Sequence, residues 1–194
     1  MSEALRLTPS GPSAKKCFTH DRNHDIGKEE WLTPPDLVQL LGPFDLDPCA
    51  PVRRPWDTAV KHYTVLDDGL LQPWFGRVWM NPPYGPETGK WLAKLARHGD
   101  GVALIFARTE TAMFHEYVWS KASALLFLRG RLSFFNVDGT PGKGSAGAPS
   151  VLVAYGGGYA DRLRAVAHLG AYVVPCMSQR RAPELLPLLE APHA

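Results

Sequence analysis

The chain predicts a single-domain α/β fold built on a parallel sheet with helices on both faces. Three observations carry that expectation. Short apolar runs at 44–47, 77–80 and 101–107 alternate with segments whose apolar residues recur at helical spacing, the grammar of such a sheet. The run Val102-Ala103-Leu104-Ile105-Phe106 is apolar without alternation, as in a strand covered on both sides. A length of 194 residues suffices for one substantial core and is short for two ordinary domains with a linker.

The elements follow in order. Residues 1–28 read as a polar, weakly ordered lead-in with no hydrophobic period. Ordered structure is expected to begin at Trp31-Leu32-Thr33-Pro34-Pro35-Asp36, where Thr33 suits a helix cap, the prolines suit the first turn and Asp36 suits a capping box. Leu37, Leu40 and Leu41 then recur at helical spacing, and Gly42-Pro43 stops the helix. Residues 44–47 read as a strand, 60–66 as a short one, and 77–80 as a buried one. Trp91, Leu92 and Leu95 give 87–98 an apolar helical face, and 111–122 reads as a further helix around Phe114 and Val118. Strands are expected at 124–128, 131–135 and 150–155, with a Gly/Ser loop at 136–149. A helix at 159–168, a short strand at 172–174 and a short helix near 185–189 complete the chain. The domain is therefore placed at 29–194.

Composition narrows the class. At 45% hydrophobic and 21% charged residues the protein is ordinary and globular, and its net charge of +2 is compatible with nucleic acid without pointing to it. No apolar run approaches the roughly 20 residues of a membrane span. Three scattered cysteines and an N-terminus without an apolar signal core predict a reducing, cytoplasmic setting.

The most informative segment is Asn81-Pro82-Pro83-Tyr84, directly after the apolar run Val78-Trp79-Met80. Proline has a fixed φ and no N–H, so two in succession make a stiff turn that offers only carbonyl acceptors. Asn81 adds a side-chain carbonyl and Tyr84 a flat π surface with a polar tip. That set suits a planar ring bearing an amino group, whose N–H hydrogens meet the acceptors while the phenol stacks on its face. The same four residues, met alone, also suit a rigid turn and nothing more. Asp47, Asn81 and Arg108 each fall just after a strand, so one crevice at the carboxyl ends of the strands is expected to hold all three.

In this segment the chain resembles the amino-methyltransferases, which transfer a methyl group from S-adenosylmethionine to an exocyclic amine. The ordered set Trp31-Leu32-Thr33-Pro34-Pro35, Phe44-Asp45-Leu46-Asp47-Pro48-Cys49-Ala50, Asp67-Asp68-Gly69-Leu70, Asn81-Pro82-Pro83-Tyr84-Gly85 and Arg129-Gly130-Arg131-Leu132 is similar to the small phage-type DNA N6-adenine methyltransferases, from about residue 30 to about 156. The resemblance implies a Rossmann-like methyltransferase sheet, mostly parallel with an antiparallel edge. It implies that Thr33 and Pro34 close over the methionine part of S-adenosylmethionine, and that Asp47, Pro48 and Cys49 form the cofactor turn. It further implies that an acidic residue among Asp67 and Asp68 receives the cofactor's adenine amine, and that Asn81 touches the cofactor as well as the target. Two departures keep the aspartates open: the cofactor turn lacks Gly-x-Gly, and 51–66 is short for a strand, helix and strand. Asp45, Asp47, Asp67 and Asp68 all remain candidates to share these roles.

The implied reaction is methylation of adenine N6 in double-stranded DNA. The N6 lone pair is delocalised into the ring, and acceptors at Asn81 and Pro82 would favour a tetrahedral nitrogen and localise it. Fixing two reactants in line removes about 7–11 kcal/mol of barrier at best. The base must leave the duplex first, which costs a few kcal/mol, and stacking on Tyr84 returns about 1–3 kcal/mol. Phe106 or Phe114 is either a second stacking face or part of the core. Arg108, Arg129, Arg131 and Lys143 are the candidate phosphate contacts, with a solvated strand edge the competing role for Arg129 and Arg131 and a plain hairpin loop that for 136–149. No metal is expected. Cys17-x-x-His20-x-x-x-His24 has spacing suggestive of zinc but supplies three ligands at most, and reads as tail. Cys49 has no histidine placed to activate it. Two other functional classes share the pattern: methyl transfer to cytosine N4, an RNA base or a protein glutamine, and a non-catalytic nucleic-acid-binding module on the same fold.

Overall fold

A computed structural model describes Leu7–Thr8 and residues 31–176. Nine strands are assigned among them: β1 (Leu7–Thr8), β2 (Leu46–Asp47), β3 (Lys61–His62), β4 (Val78–Met80), β5 (Gly101–Phe106), β6 (Ala124–Leu128), β7 (Arg131–Leu132), β8 (Ser150–Tyr155) and β9 (Gly170–Val173). The α-helices are α1 (Pro35–Leu41), α2 (Thr88–His98) and α3 (Gly157–Ala165).

Seven strands form one mixed sheet in the order β3-β2-β4-β5-β8-β6-β9. β3, β2, β4 and β5 run parallel, with Leu46 opposite Val78 and Val78 opposite Gly101. β8 then enters antiparallel between β5 and β6, pairing Leu104 with Leu152 and Leu126 with Leu152, and β9 is antiparallel to β6. The antiparallel part is thus three pairings deep, as deep as the parallel part, where an edge alone was expected. The order follows from the chain's connections. β8 is reached through the loop 133–149 rather than a crossover helix, and a strand so connected is free to run against its neighbours.

Side chains alternate along each strand, so the continuous apolar runs feed two cores. Trp79, Val102, Leu104, Leu126 and Leu152 pack with Leu37, Val38 and Leu41 of α1 and Tyr159 and Leu163 of α3. Val78, Met80, Ala103, Ile105 and Val153 pack with Trp91, Leu92 and Leu95 of α2 and with Phe114 and Val118. α2 ends where Gly99 adopts φ 80°, a left-handed conformation that suits glycine, and its N–H closes on Leu95 O.

Several expectations need correction. α1 is not capped by Thr33: Pro34 occupies the cap position and no side chain bonds there, and the pre-set φ of proline suits the start of the helix, with Asp36 in its first turn. Leu40 is 46% exposed, and Val38 takes its place in the core. The helix expected at 111–122 contains a π-helical segment, Phe114–Trp119. Only Arg131–Leu132 of 131–135 is a strand, and it pairs with Leu7–Thr8 of the expected lead-in. The sequence around 185–189 and the Cys17, His20 and His24 cluster lie outside the described residues.

Candidate active site

The carboxyl ends of β2, β4 and β5 deliver Asp47, Asn81 and, past Phe106, Arg108. They open not on one crevice but on two cavities, each of about 450 Å³. The first is lined by Thr33, the Asp47-Pro48-Cys49-Ala50 turn, Asp68, Gly69, Trp91 and the Asn81-Pro82-Pro83-Tyr84 turn. The second is lined by Phe106, Arg108, Phe134 and residues 144–148. Trp31 and Tyr84 line both and stand between them.

Asp47 is 4% exposed and both its oxygens are engaged. Oδ1 accepts the Cys49 N–H at 3.1 Å, and Oδ2 accepts the Thr58 hydroxyl at 2.5 Å. Burial outweighs these bonds and pushes its carboxyl up to about 6. Thr58 is itself held by His62, whose Nε2 accepts the Thr58 and Ala59 N–H groups at 3.2 and 3.3 Å. Asp47 therefore organises its turn while lining the first cavity. Burial, with Asp47 beside it, raises the Cys49 thiol, which disfavours the thiolate.

The other aspartates separate. Asp45 forms a bidentate pair with Arg77, Nε to Oδ2 and Nη2 to Oδ1 both at 2.9 Å, and a third bond from the Arg77 N–H. These bonds hold its carboxyl near 2, and Asp45 lines neither cavity. Asp67 accepts the N–H and hydroxyl of Thr64 on Oδ2, at 2.8 and 2.9 Å, and lines neither cavity. Asp68 is the exposed carboxylate that lines the first cavity, on a backbone with φ 51°. Gly69 beside it presses on the Asp47 turn, where an added Cβ would lie 1.9 Å from Pro48 O. The two motifs pack directly, and only glycine permits it.

The acceptor turn is equally fixed. Asn81 donates from Nδ2 to Trp31 O at 3.2 Å and accepts the Tyr84 hydroxyl on Oδ1 at 3.3 Å, a pair of bonds that sets which way the amide points. Pro83 O accepts the Thr88 hydroxyl at 2.8 Å at the start of α2. Burial raises the Tyr84 phenol well above its ordinary range, so it stays a donor. Its ring stacks on Phe106 and meets Phe134 edge-on. Phe114, by contrast, is fully buried against Trp119 in the core.

Of the candidate phosphate contacts, Arg108 alone lines a cavity. Arg131 donates to Ala146 O at 3.3 Å and so steadies the 144–148 wall. Arg129 and Lys143 are exposed and line neither cavity. Pro34 caps α1 and lines neither as well. Trp31, Thr58, Thr88 and Phe134 were not anticipated as site residues. Trp31 carried a signal, as the first residue of the motif that contains Thr33.

A family model described as DNA N-6-adenine-methyltransferase (Dam) matches residues 20–161. The chain belongs to the Dam family. The match to the Dam model spans both cavities, from Thr33 through the Asp47 turn and the 81–84 turn to the 144–148 wall, and ends within α3. DNA adenine methylation at N6 is thus the reaction class of the family to which this chain belongs. Neither the curated proteins nor the solved structures compared with this Dam-family chain give a match. Among the described residues no helix is long and apolar enough to cross a membrane, and no group of three or more His, Cys, Asp or Glu side chains is placed to hold a metal.

Proposed function

We propose that the protein methylates adenine N6 in double-stranded DNA, with S-adenosylmethionine in the first cavity and the extruded base in the second. The observation that carries this reading is the partition: two cavities of equal size meet at Tyr84, beside the one amide that lines the first. On this reading the mixed sheet is a Rossmann-like methyltransferase sheet with helices on both faces, formed by residues 29–194 after a lead-in at 1–28. The setting is the cytoplasm of a bacterium or a phage-infected host.

The first cavity suits the cofactor. The Thr33 hydroxyl is buried in its wall with no hydrogen-bond partner, a polar atom that a ligand would satisfy. Asp68 offers a carboxylate to a ribose or to an adenine amine, and Val65 and Trp91 offer apolar walls to the ring. Pro48 and Cys49 supply the turn, which Asp47 braces. When bound, S-adenosylmethionine supplies an electrophilic methyl group on a sulfonium.

The protein's own work is positional. Asn81 Oδ1 and the Pro82 carbonyl accept the N6 hydrogens, which localises the lone pair and stabilises positive charge as it develops on nitrogen. Tyr84 exchanges its bond to Asn81 for a stacking contact with the base. Arg108 holds phosphate at the mouth of the second cavity, and Arg129, Arg131 and Lys143 extend that surface. The test is transfer of labelled methyl from S-adenosylmethionine by purified protein in mixtures of duplex DNA, RNA and protein acceptors. N6-methyladenine in DNA is the expected product. Label in cytosine N4, in RNA or in a glutamine amide would overturn the assignment.

A further inference from the structure

Helix α2 links the two halves of the site. At its start Thr88 holds Pro83 O, and three residues on Trp91 lines the first cavity. Three further on, Lys94 reaches the opposite rim. Its Nζ donates to Leu70 O at 2.7 Å, Gln72 O at 2.5 Å and Gly69 O at 3.3 Å. Three donors to three carbonyls exhaust an ammonium group. The same loop is bound a second time by Trp74, whose Nε1 donates to Gly69 O at 2.8 Å. Trp74 lies under the Lys94 ammonium, 5.0 Å from its ring centroid, and stacks on Trp91.

Local bonds turn the loop, with the Leu71 and Gln72 N–H groups closing on Asp68 O at 2.8 and 3.3 Å and Gln72 Nε2 donating to Asp67 O at 2.7 Å, but none of these engages the carbonyls of Gly69, Leu70 or Gln72. Asp68 has a positive φ and Gly69 is jammed against Pro48 O, so the loop adopts a conformation that an unaided chain resists. The strongest bonds holding it come from a helix that begins four residues after the acceptor turn.

We infer that Lys94 is a positioning residue for the cofactor: by gathering the carbonyls of Gly69, Leu70 and Gln72 it sets Asp68 and Gly69 in the wall of the first cavity, in register with the acceptor turn. The inference rests on the cofactor reading of that cavity. Lys94 lines neither cavity and touches no reactant; it acts through the loop.

The test is steady-state kinetics and calorimetry with S-adenosylhomocysteine on Lys94→Met, Lys94→Arg and Trp74→Phe. Charge-assisted hydrogen bonds of this kind predict that Lys94→Met raises KM for S-adenosylmethionine and Kd for S-adenosylhomocysteine about tenfold or more, with kcat falling less than about threefold. Lys94→Arg, which keeps donors and charge, recovers most of the affinity. Trp74→Phe removes one neutral bond to Gly69 and keeps the ring, so it weakens binding by about two- to fivefold and serves if Lys94→Met does not fold. DNA affinity stays at the wild-type value in each. A Lys94→Met protein that binds S-adenosylhomocysteine as tightly as wild type overturns the role of Lys94 alone. Equal losses in KM, kcat and melting temperature assign Lys94 to general stability and overturn it too. Wild-type protein that does not bind S-adenosylhomocysteine overturns the cofactor reading and this inference together.

Discussion

Tyr84 lies flat on Phe106, with ring centroids 4.0 Å apart and planes 14° from parallel. No third ring fits in that gap, so an incoming base takes the other face of Tyr84 or displaces Phe106. In the first case Phe106 backs the Tyr84 ring and fixes the plane on which the base lands. Phe106→Leu removes an aromatic pair worth about 0.5–1.5 kcal/mol. It is expected to lower kcat/KM for DNA by roughly two- to tenfold, while affinity for S-adenosylhomocysteine, measured by calorimetry, does not change.

Tyr84 has two separable contributions, the ring and the hydroxyl. Tyr84→Phe keeps the stack and loses only a 3.3 Å bond to Asn81, a change of about 1 kcal/mol. Tyr84→Ala loses the stack as well, about 1–3 kcal/mol per base. The fluorescence of 2-aminopurine at the target position should rise on binding to wild type and to Tyr84→Phe, and rise much less with Tyr84→Ala.

Asp47 gives a pH signature of definite sign. Its carboxyl titrates at about 6 in the native chain against an ordinary 3.8. The native state binds the proton more tightly than the unfolded chain, so this group's contribution falls as pH rises from 3.8 through 6 and stays unfavourable above. Asp47→Asn keeps an acceptor for the Cys49 N–H and a donor for the Thr58 oxygen. Its melting temperature should exceed wild type at pH 8, and the difference should shrink as pH falls to 4.

Asp45 has the opposite sign. Arg77 lowers its carboxyl to about 2, so the pair stabilises the fold above pH 3.8 and the contribution fades as pH falls toward 2. The pair is about one-third exposed and therefore screened. Asp45→Asn should melt below wild type at pH 7, with the two curves converging by pH 2.

Gly69 tests the packing of the two motifs. A methyl group there meets the backbone of Pro48, which has no flexible end to give way. Gly69→Ala should cost about 1–3 kcal/mol in denaturant unfolding and weaken S-adenosylhomocysteine binding.

What the sequence made legible was what side chains encode. The unbroken apolar run 102–106 announced a buried strand, and three polar residues after three strands announced a site at their carboxyl ends. What it concealed lies in the backbone and in distance. The carbonyl of Trp31 that orients Asn81, and the three carbonyls that Lys94 gathers, belong to peptide groups that every residue has. Asp45 reads as one of four candidate carboxylates, and its partner Arg77 lies 32 residues on, too distant in the chain to be read as a pair. Two cavities stand where one crevice was expected, and Trp31 and Tyr84, distant in the chain, line both. The depth of the antiparallel pairing was hidden because β8 is as uniformly apolar as β5.

The most direct measurement is the rate of methyl transfer to adenine N6 in duplex DNA for wild type and Asn81→Ala, with S-adenosylhomocysteine affinity determined on the same preparations. Removing a preorganised partner of the developing charge should lower kcat by about 10²–10³-fold while the cofactor analogue still binds. Undiminished transfer by Asn81→Ala would contradict the proposal that this amide grips the base.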